Sequence, residues 1–270
     1  MTTSLFKSEK PAHWYLPNGE PLHTVQKKDG SGERPTTLAD ARKLGLLPSV
    51  TSILSIKAKP ALDAWRLEQG ILSALTLPRG TEEPIDEFAK RVVVDAEEQS
   101  RKAAEFGTKI HQAIEDAHKL GVFVQGEDYA FIKGYEDWFH KEILQVLSTE
   151  ETVVNQIIGY AGRVDVVAET KNHGVCVIDI KTQKRVSETK KEATFYPEWG
   201  MQLAAYQQAI LLQGGFLVDI NIMSVVINSN KPDDVSVKVW EKPERYYEAF
   251  KSCVNLWQFD RNYYPSEVKK

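Results

Sequence analysis

Near residue 150 the apolar residues of this chain change their spacing, and that change limits the folds open to it. Upstream they recur every three or four positions. Val92, Val93, Ala96, Ala103, Phe106, Ile110, Ile114 and Ala117 follow the helical period, which predicts a long helix from about Ile85 until Gly121 ends it. A second helix is predicted from about Asp128, with Phe131, Tyr135, Trp138, Phe139, Ile143 and Val146 inward. Downstream come short runs rich in Val and Ile: Glu151–Ile158, Gly162–Ala168 and Val175–Ile180. Gly-Tyr-Ala-Gly and Lys-Asn-His-Gly separate them, so they read as consecutive strands with tight turns. A helix over Pro197–Leu212, strands near Ile220–Ile227 and Val235–Val239, and a helix opened by Pro243 with Tyr246, Phe250, Val254 and Trp257 inward complete the pattern. Helices followed by strands with a helix between them predict an α/β domain.

The first part of the chain is less regular. Asn18-Gly19 lies between His13–Leu16 and Leu22–Val25 and predicts a small hairpin. Leu38–Leu44 reads as a short helix ended by Gly45, and Ser49 as the cap of another through Ile53. Pro60 opens a helix carrying Leu62, Trp65 and Leu67. The expected organisation is a hairpin and helical elaboration over residues 1–84 and a core over 85–270, together one compact unit.

Composition removes several classes of function. No apolar run approaches the length of a membrane span, and the first residues lack an apolar signal core, so a cytoplasmic protein with no membrane partner is expected. Two cysteines, Cys176 and Cys253, sit in apolar patterns and read as reduced core residues; they are too few for a four-cysteine iron–sulfur cluster or zinc ribbon. The formal net charge of −4 counts mildly against a nucleic-acid partner, although a local basic patch can attract phosphate on an acidic protein.

Four groups of residues carry chemistry: Gly162-Arg163-Val164-Asp165, Asp179-Ile180-Lys181, Gln202 with Tyr206, and His111 with Glu115. Asp165 and Asp179 interrupt apolar strand runs, where an unpaired carboxylate is costly. On adjacent strands they can stand side by side, and paired carboxylates suit a hard divalent cation such as Mg2+ or Mn2+. Lys181, two residues after Asp179, projects from the same strand face. There it can orient water, help remove its proton, or stabilise a charged transition state. Taken alone, Asp-x-Lys is better explained by a surface ion pair at a strand end, and the functional reading rests on the ordered combination. His111 and Glu115 share one helical face; the bland reading of His111 is a core histidine, and of Gln202 and Tyr206 a polar helix surface. Lys184, Arg185, Lys190 and Lys191 follow the third strand and read either as a solvated loop or as a basic flap for phosphates. Tyr196 and Trp199 suit base stacking or helix packing equally.

In this order, Gly-Arg-Val-Asp, Asp-Ile-Lys and Gln-x-x-x-Tyr resemble the PD-(D/E)XK nuclease superfamily, and specifically its RecB-like branch. Gly107-Thr108-Lys109-Ile110-His111-x-x-x-Glu115 is similar to that branch's upstream helical motif, so the resemblance covers about His111 to Tyr206. Leu47–Leu54 is similar to a Pro-Ser-Val-Thr segment of related phage and mitochondrial genome-maintenance proteins, which makes Ser49 and Thr51 candidates for DNA contact. The resemblance implies a restriction-endonuclease-like core, a central mixed sheet flanked by helices. It implies metal ligation by His111, Asp165, Asp179 and the Ile180 carbonyl, with Glu115 at a second metal or steadying His111. Lys181 would be the catalytic lysine, and Gln202 and Tyr206 would steady it or the DNA backbone. The cysteines that hold an iron–sulfur cluster in some relatives are absent, and no Gly-x-x-x-x-Gly-Lys-Ser/Thr motor motif occurs.

The expectation is therefore a metal-dependent deoxyribonuclease. Exonuclease action on single-stranded DNA or DNA ends is expected first, with the N-terminal helices roofing the site. A phage or prophage role in replication, repair or recombination, with a recombination or replication protein as partner, suits a small chain without a motor. The rivals are a structure- or sequence-selective endonuclease on the same core and a DNA-binding or assembly module without activity.

Overall fold

A computed structural model describes residues 12–126, 129–184, 193–214, 219–231 and 233–267. The chain divides into two compact units, one from Ala58–Lys109 and the other from Pro11–Lys57 with Ile110–Lys270.

In the second unit, β1 (Trp14–Tyr15), β2 (Thr24–Gln26) and β3 (Glu33–Pro35) precede α1 (Leu38–Leu44), β4 (Leu47–Pro48) and α2 (Val50–Leu54). Thr37 and Asp40 form a reciprocal capping box at the start of α1, and Gly45 ends it in the left-handed conformation with φ of 65°. Ser49 caps α2 by accepting the Ser52 N–H at 3.0 Å. The predicted hairpin is only partly formed. Leu16 N–H donates to the Glu20 carbonyl at 2.8 Å, but β1 pairs with β4, and β2 with β3. Trp14 and Tyr15 are both buried, and pairing with Leu47–Pro48 places them in the core in a way a two-stranded ribbon alone would not.

The other unit contains α3 (Pro60–Thr76) and the first part of α4 (Ile85–Leu120). Pro60 occupies the first turn of α3, where its missing N–H has no helical partner to lose. Ser73 donates to Asp95 at 2.7 Å and ties the two helices together.

After α5 (Tyr129–Glu142) the chain forms β5 (Ile143–Asn155), β6 (Tyr160–Thr170), β7 (Gly174–Gln183), α6 (Pro197–Leu212), β8 (Ile220–Asn228), β9 (Val235–Val239) and α7 (Pro243–Arg261). The five strands form one mixed sheet in the order β5-β6-β7-β8-β9, antiparallel except for the parallel pair β7–β8. The parallel pair needs a crossover, and α6 supplies it. This is the expected flanked mixed sheet with a helical N-terminal region. Helix α6 is buried along almost its whole length, from Gly200 to Gln207 and at Ala209 and Ile210. It packs with Val164, Val167 and Val177 from the sheet and Phe250, Val254 and Trp257 from α7. Among the described residues no helix is long and apolar enough to cross a membrane.

Two expectations fail locally. Ile143 and Val146 belong to β5, where they pair with Thr170 and Ala168, and not to the preceding helix. Register shifts after each of them break the alternation of two and leave a spacing of three that mimics a helix. The first strand also ends earlier than expected. The turn lies between Asn155 and Tyr160, and β6 begins at Tyr160, two residues before Gly162.

Candidate active site

The ladder between β6 and β7 runs from Thr170↔Gly174 to Val166↔Ile178 and stops there. The next residues on the two strands are Asp165 and Asp179. Past this point β7 stays paired to β8, with Asp179↔Ser224 and Lys181↔Val226, while β6 parts from it. Asp165 bridges the split: its Oδ2 accepts the Ile180 N–H at 2.7 Å, replacing a ladder bond with a side-chain one. The Asp-Ile-Lys motif thus lies where two paired strands open.

Asp179 is 1% exposed. Its Oδ1 accepts from Lys181 Nζ at 2.5 Å and from Gln202 Nε2 at 2.9 Å. Gln202 Nε2 also reaches the Tyr206 hydroxyl, one turn further along α6, at 3.2 Å. Asp179 Oδ2 is buried with no hydrogen-bond partner. Burial raises the Asp179 carboxyl above the usual carboxylate range, Lys181 opposes this, and Asp165 adds to it. For Lys181, burial works against the ammonium charge, but Asp179 and Asp165 outweigh it and hold the pKa above the ordinary lysine value. Burial, with Asp179 and Asp165 close by, keeps the Tyr206 phenol protonated. The Tyr206 ring lies against the backbone of Gly162, and a Cβ there would run into its Cε1, Cζ and Cδ1. The glycine of Gly-Arg-Val-Asp is therefore required by the tyrosine of Gln-x-x-x-Tyr.

The other side of the site is open. His111 Nδ1 stands 3.7 Å from Asp165 Oδ2. Glu115 is 9% exposed, its carboxylate shared between Lys119 on its own helix and Arg163 Nη2, 3.4 Å away on β6. Arg163 Nε bonds Glu150 on β5. Glu150 lies across from Asp165, between the pairs Thr149↔Val166 and Glu151↔Val164. It adopts a left-handed backbone with φ of 53°, a conformation that costs a non-glycine residue about 1–2 kcal/mol. Burial, with Asp165 nearby, pushes its carboxyl up to about 7. Glu150 was not among the candidates from sequence. The available signal was an acidic pair, Glu150-Glu151, interrupting a strand opposite Gly-Arg-Val-Asp.

Lys184 is exposed; Arg185, Lys190 and Lys191 lie outside the described residues. Tyr196 precedes the first turn of α6 and meets Trp199 edge-on at 5.2 Å. Trp199 packs against the core. Thr51 is exposed, whereas Ser49 is 4% exposed and engaged in capping α2.

Among the described residues no three His, Cys, Asp or Glu side chains are drawn together as a ready ligand set. The donors present nevertheless fit a hard divalent cation. A buried carboxylate oxygen without a partner is costly, and a cation would satisfy it. Asp165 and the imidazole of His111 supply further oxygen and nitrogen donors.

No curated protein matches the chain. A family model for the PD-(D/E)XK nuclease superfamily matches residues 130–258, a span containing Arg163, Asp165, Asp179, Lys181, Gln202 and Tyr206. Nucleases of this superfamily typically use divalent metal ions such as Mg2+, and the family implies DNA as the substrate. The split between β6 and β7, with its carboxylates and half-buried lysine, lies inside the matched span, and this chain carries, over residues 130–258, a domain of the PD-(D/E)XK nuclease superfamily.

Proposed function

We propose that the protein is a metal-dependent deoxyribonuclease of the RecB-like branch, acting as an exonuclease on single-stranded DNA or DNA ends. The observation that carries the nuclease reading is the Asp179 cluster. One carboxylate oxygen is held by Lys181 and Gln202, and the other is buried and unpartnered. Asp165, Asp179, His111 and the Ile180 carbonyl would hold Mg2+ or Mn2+. When bound, such an ion supplies Lewis-acid charge at the phosphate and a more acidic water.

The chain's own residues do the rest. Asp179 and Asp165 favour the charged form of Lys181, from which it donates hydrogen bonds to charge developing on a phosphate oxygen. Gln202 fixes the Asp179 carboxylate and thereby the lysine. Tyr206 fixes Gln202 and, as a neutral phenol, adds no charge. Lys184, Arg185, Lys190 and Lys191 are proposed to grip the backbone, with Tyr196 and Thr51 at the rim. Exonuclease action is favoured by the helical insertion at Ala58–Lys109, which rejoins the second unit immediately before His111. A cytoplasmic role in phage or prophage replication, repair or recombination, beside a protein of that machinery, completes the reading.

The test is cleavage of an end-labelled single strand and of a closed single-stranded circle in Mg2+, Mn2+, Ca2+ or chelator. The expected result is progressive loss of the linear strand in Mg2+ or Mn2+, an intact circle, and no turnover in Ca2+ or chelator. A cut circle marks an endonuclease. Full activity in chelator removes the metal-dependent mechanism.

A further inference from the structure

His111 and Glu115 are four residues apart on α4, and Asp165 and Arg163 are two residues apart on β6. Four helical residues rise about 6 Å and two strand residues about 6.8 Å. The two spacings match, and the side chains meet as two rungs: His111 Nδ1 to Asp165 Oδ2 at 3.7 Å, and Glu115 Oε2 to Arg163 Nη2 at 3.4 Å. The second rung is anchored again, because Arg163 Nε bonds Glu150 on the neighbouring strand.

We infer that Arg163, held between Glu150 and Glu115, is a register lock that sets α4 against β6 and so positions His111 beside Asp165. The inference rests on the proposed nuclease reading and deepens it: Glu115, Glu150 and Arg163 are positioning residues, and His111 is what they position. Three observations support the assignment. The guanidinium fork reaches two elements at once, which a lysine ammonium does with poorer geometry. Both Glu115 oxygens face Arg163 Nη2, at 3.5 and 3.4 Å, so this carboxylate already has a cationic partner. Glu150 keeps a left-handed backbone in mid-strand, a conformation that persists where the surroundings hold it.

The experiment compares the full-length parent with Arg163→Met, Glu115→Gln and the double variant. The readouts are the imidazole NMR signals of His111 without metal, the Mn2+ dissociation constant, DNA affinity in chelator, and the melting curve. The expected result is displaced His111 signals in both single variants. The Mn2+ dissociation constant should rise about ten- to a hundredfold, the usual effect of losing a group that orients a ligand. The double variant should lose no more than either single one, because both remove the same rung. Arg163→Lys should recover part of the loss. If Arg163→Met does not fold, Glu115→Gln carries the same comparison. Unmoved His111 signals, or additive losses in the double variant, overturn the lock. Weaker DNA binding in chelator with unchanged Mn2+ affinity also overturns it, making Arg163 a phosphate contact. The imidazole readout needs neither metal nor cleavage, so a parent that fails to cut DNA defeats the nuclease reading without touching this result.

Discussion

The two halves of the site are built differently. On the β7–α6 side Asp179 is 1% exposed, Tyr206 4% and Gln202 8%, and only the Lys181 side chain reaches partly to solvent. The bonds there link a strand to the buried crossover helix and run through neutral donors as well as charges. On the α4–β6 side the Arg163 side chain is 52% exposed, and the links are long-range pairs between charged groups. A buried hydrogen-bonded network has few ways to rearrange, because each broken bond leaves an unsatisfied group out of water. The Arg163 pairs are screened by water on the arginine side only, since their carboxylates on Glu115 and Glu150 are largely buried. The enclosed half therefore fixes the geometry of the reacting groups, and the open half is where substrate and ion can enter.

The largest expected effect lies in the enclosed half. Lys181→Ala should reduce single-turnover cleavage by about 100- to 10,000-fold, the usual contribution of a positioned catalytic group. Metal and DNA affinity should change little, since a group used in the transition state leaves ground-state binding largely intact. Asp179→Ala should lose metal affinity as well as rate. If Lys181→Ala cuts within about tenfold of the parent, the enclosed half is structural and the proposed mechanism fails.

Acid should act on the open half first. His118 lies one turn beyond Glu115 on α4, in a box with Phe123, Tyr135 and Phe139. Its Nε2 meets the Tyr135 hydroxyl at 3.2 Å, and its Nδ1 is buried without a partner. Burial lowers its pKa to about 4. The unfolded chain, with a histidine pKa near 6.5, then binds the proton more readily than the folded one. Stability from this group is complete above about pH 6.5 and falls as pH drops toward 4, by about 3 kcal/mol in all. Urea unfolding at several pH values should show that loss in the parent and a flatter profile in His118→Phe. Equal slopes in the two proteins would mean that the box does not hold a neutral imidazole.

Next in size is the contact that joins the two motifs of the enclosed half. Gly162→Ala places a methyl against the Tyr206 ring, and both are held by the core. Overpacking of this kind costs about 1–3 kcal/mol, and here it should also tilt Tyr206 away from Gln202. The expected outcome is a lower melting temperature together with a lower cleavage rate, and unchanged rate would uncouple Tyr206 from the chemistry.

These tests bear on what was legible in the chain. Asp165, Asp179 and Lys181 were legible because carboxylates and a lysine in Val/Ile runs violate the strand pattern, and the structure puts them where β6 and β7 part. The helix Pro197–Leu212 and the strand Val235–Val239 were legible to the residue, since proline and strict alternation mark their limits. The start of β5 was not, because two register shifts give Ile143 and Val146 a helical spacing. Glu150 was not, because its importance comes from facing Asp165 and Arg163 across the sheet. Gly162 is legible as a strand residue, but the reason for a glycine there is not, because the tyrosine packed against it comes from a distant helix. Ser49 was legible twice, as a helix cap and as a DNA contact, and the two readings make different demands.

Ser49→Ala separates them, and it has the smallest expected effect. The Ser49 side chain accepts the Ser52 N–H at 3.0 Å and donates to Ser52 Oγ at 2.8 Å, and Ser52 Oγ in turn accepts the His13 N–H at 3.0 Å. Its backbone forms a bridge to Ala161, next to Gly162. All of this is packing beneath the enclosed half; Thr51 is exposed at that turn, with its hydroxyl 3.1 Å from Ser49 Oγ. Loss of a serine cap costs about 1 kcal/mol. In a domain of this size that lowers the melting temperature by about 2–4 °C. DNA affinity in chelator should stay within about twofold of the parent, since no phosphate contact is lost and each such contact would otherwise change the salt dependence. Thr51→Ala should do the reverse, weakening DNA binding with a smaller change in melting than Ser49→Ala, since it removes only the 3.1 Å contact to Ser49 Oγ. If Ser49→Ala weakens DNA binding and leaves the melting curve alone, the cap is replaceable. This serine then belongs with the open half, despite its burial.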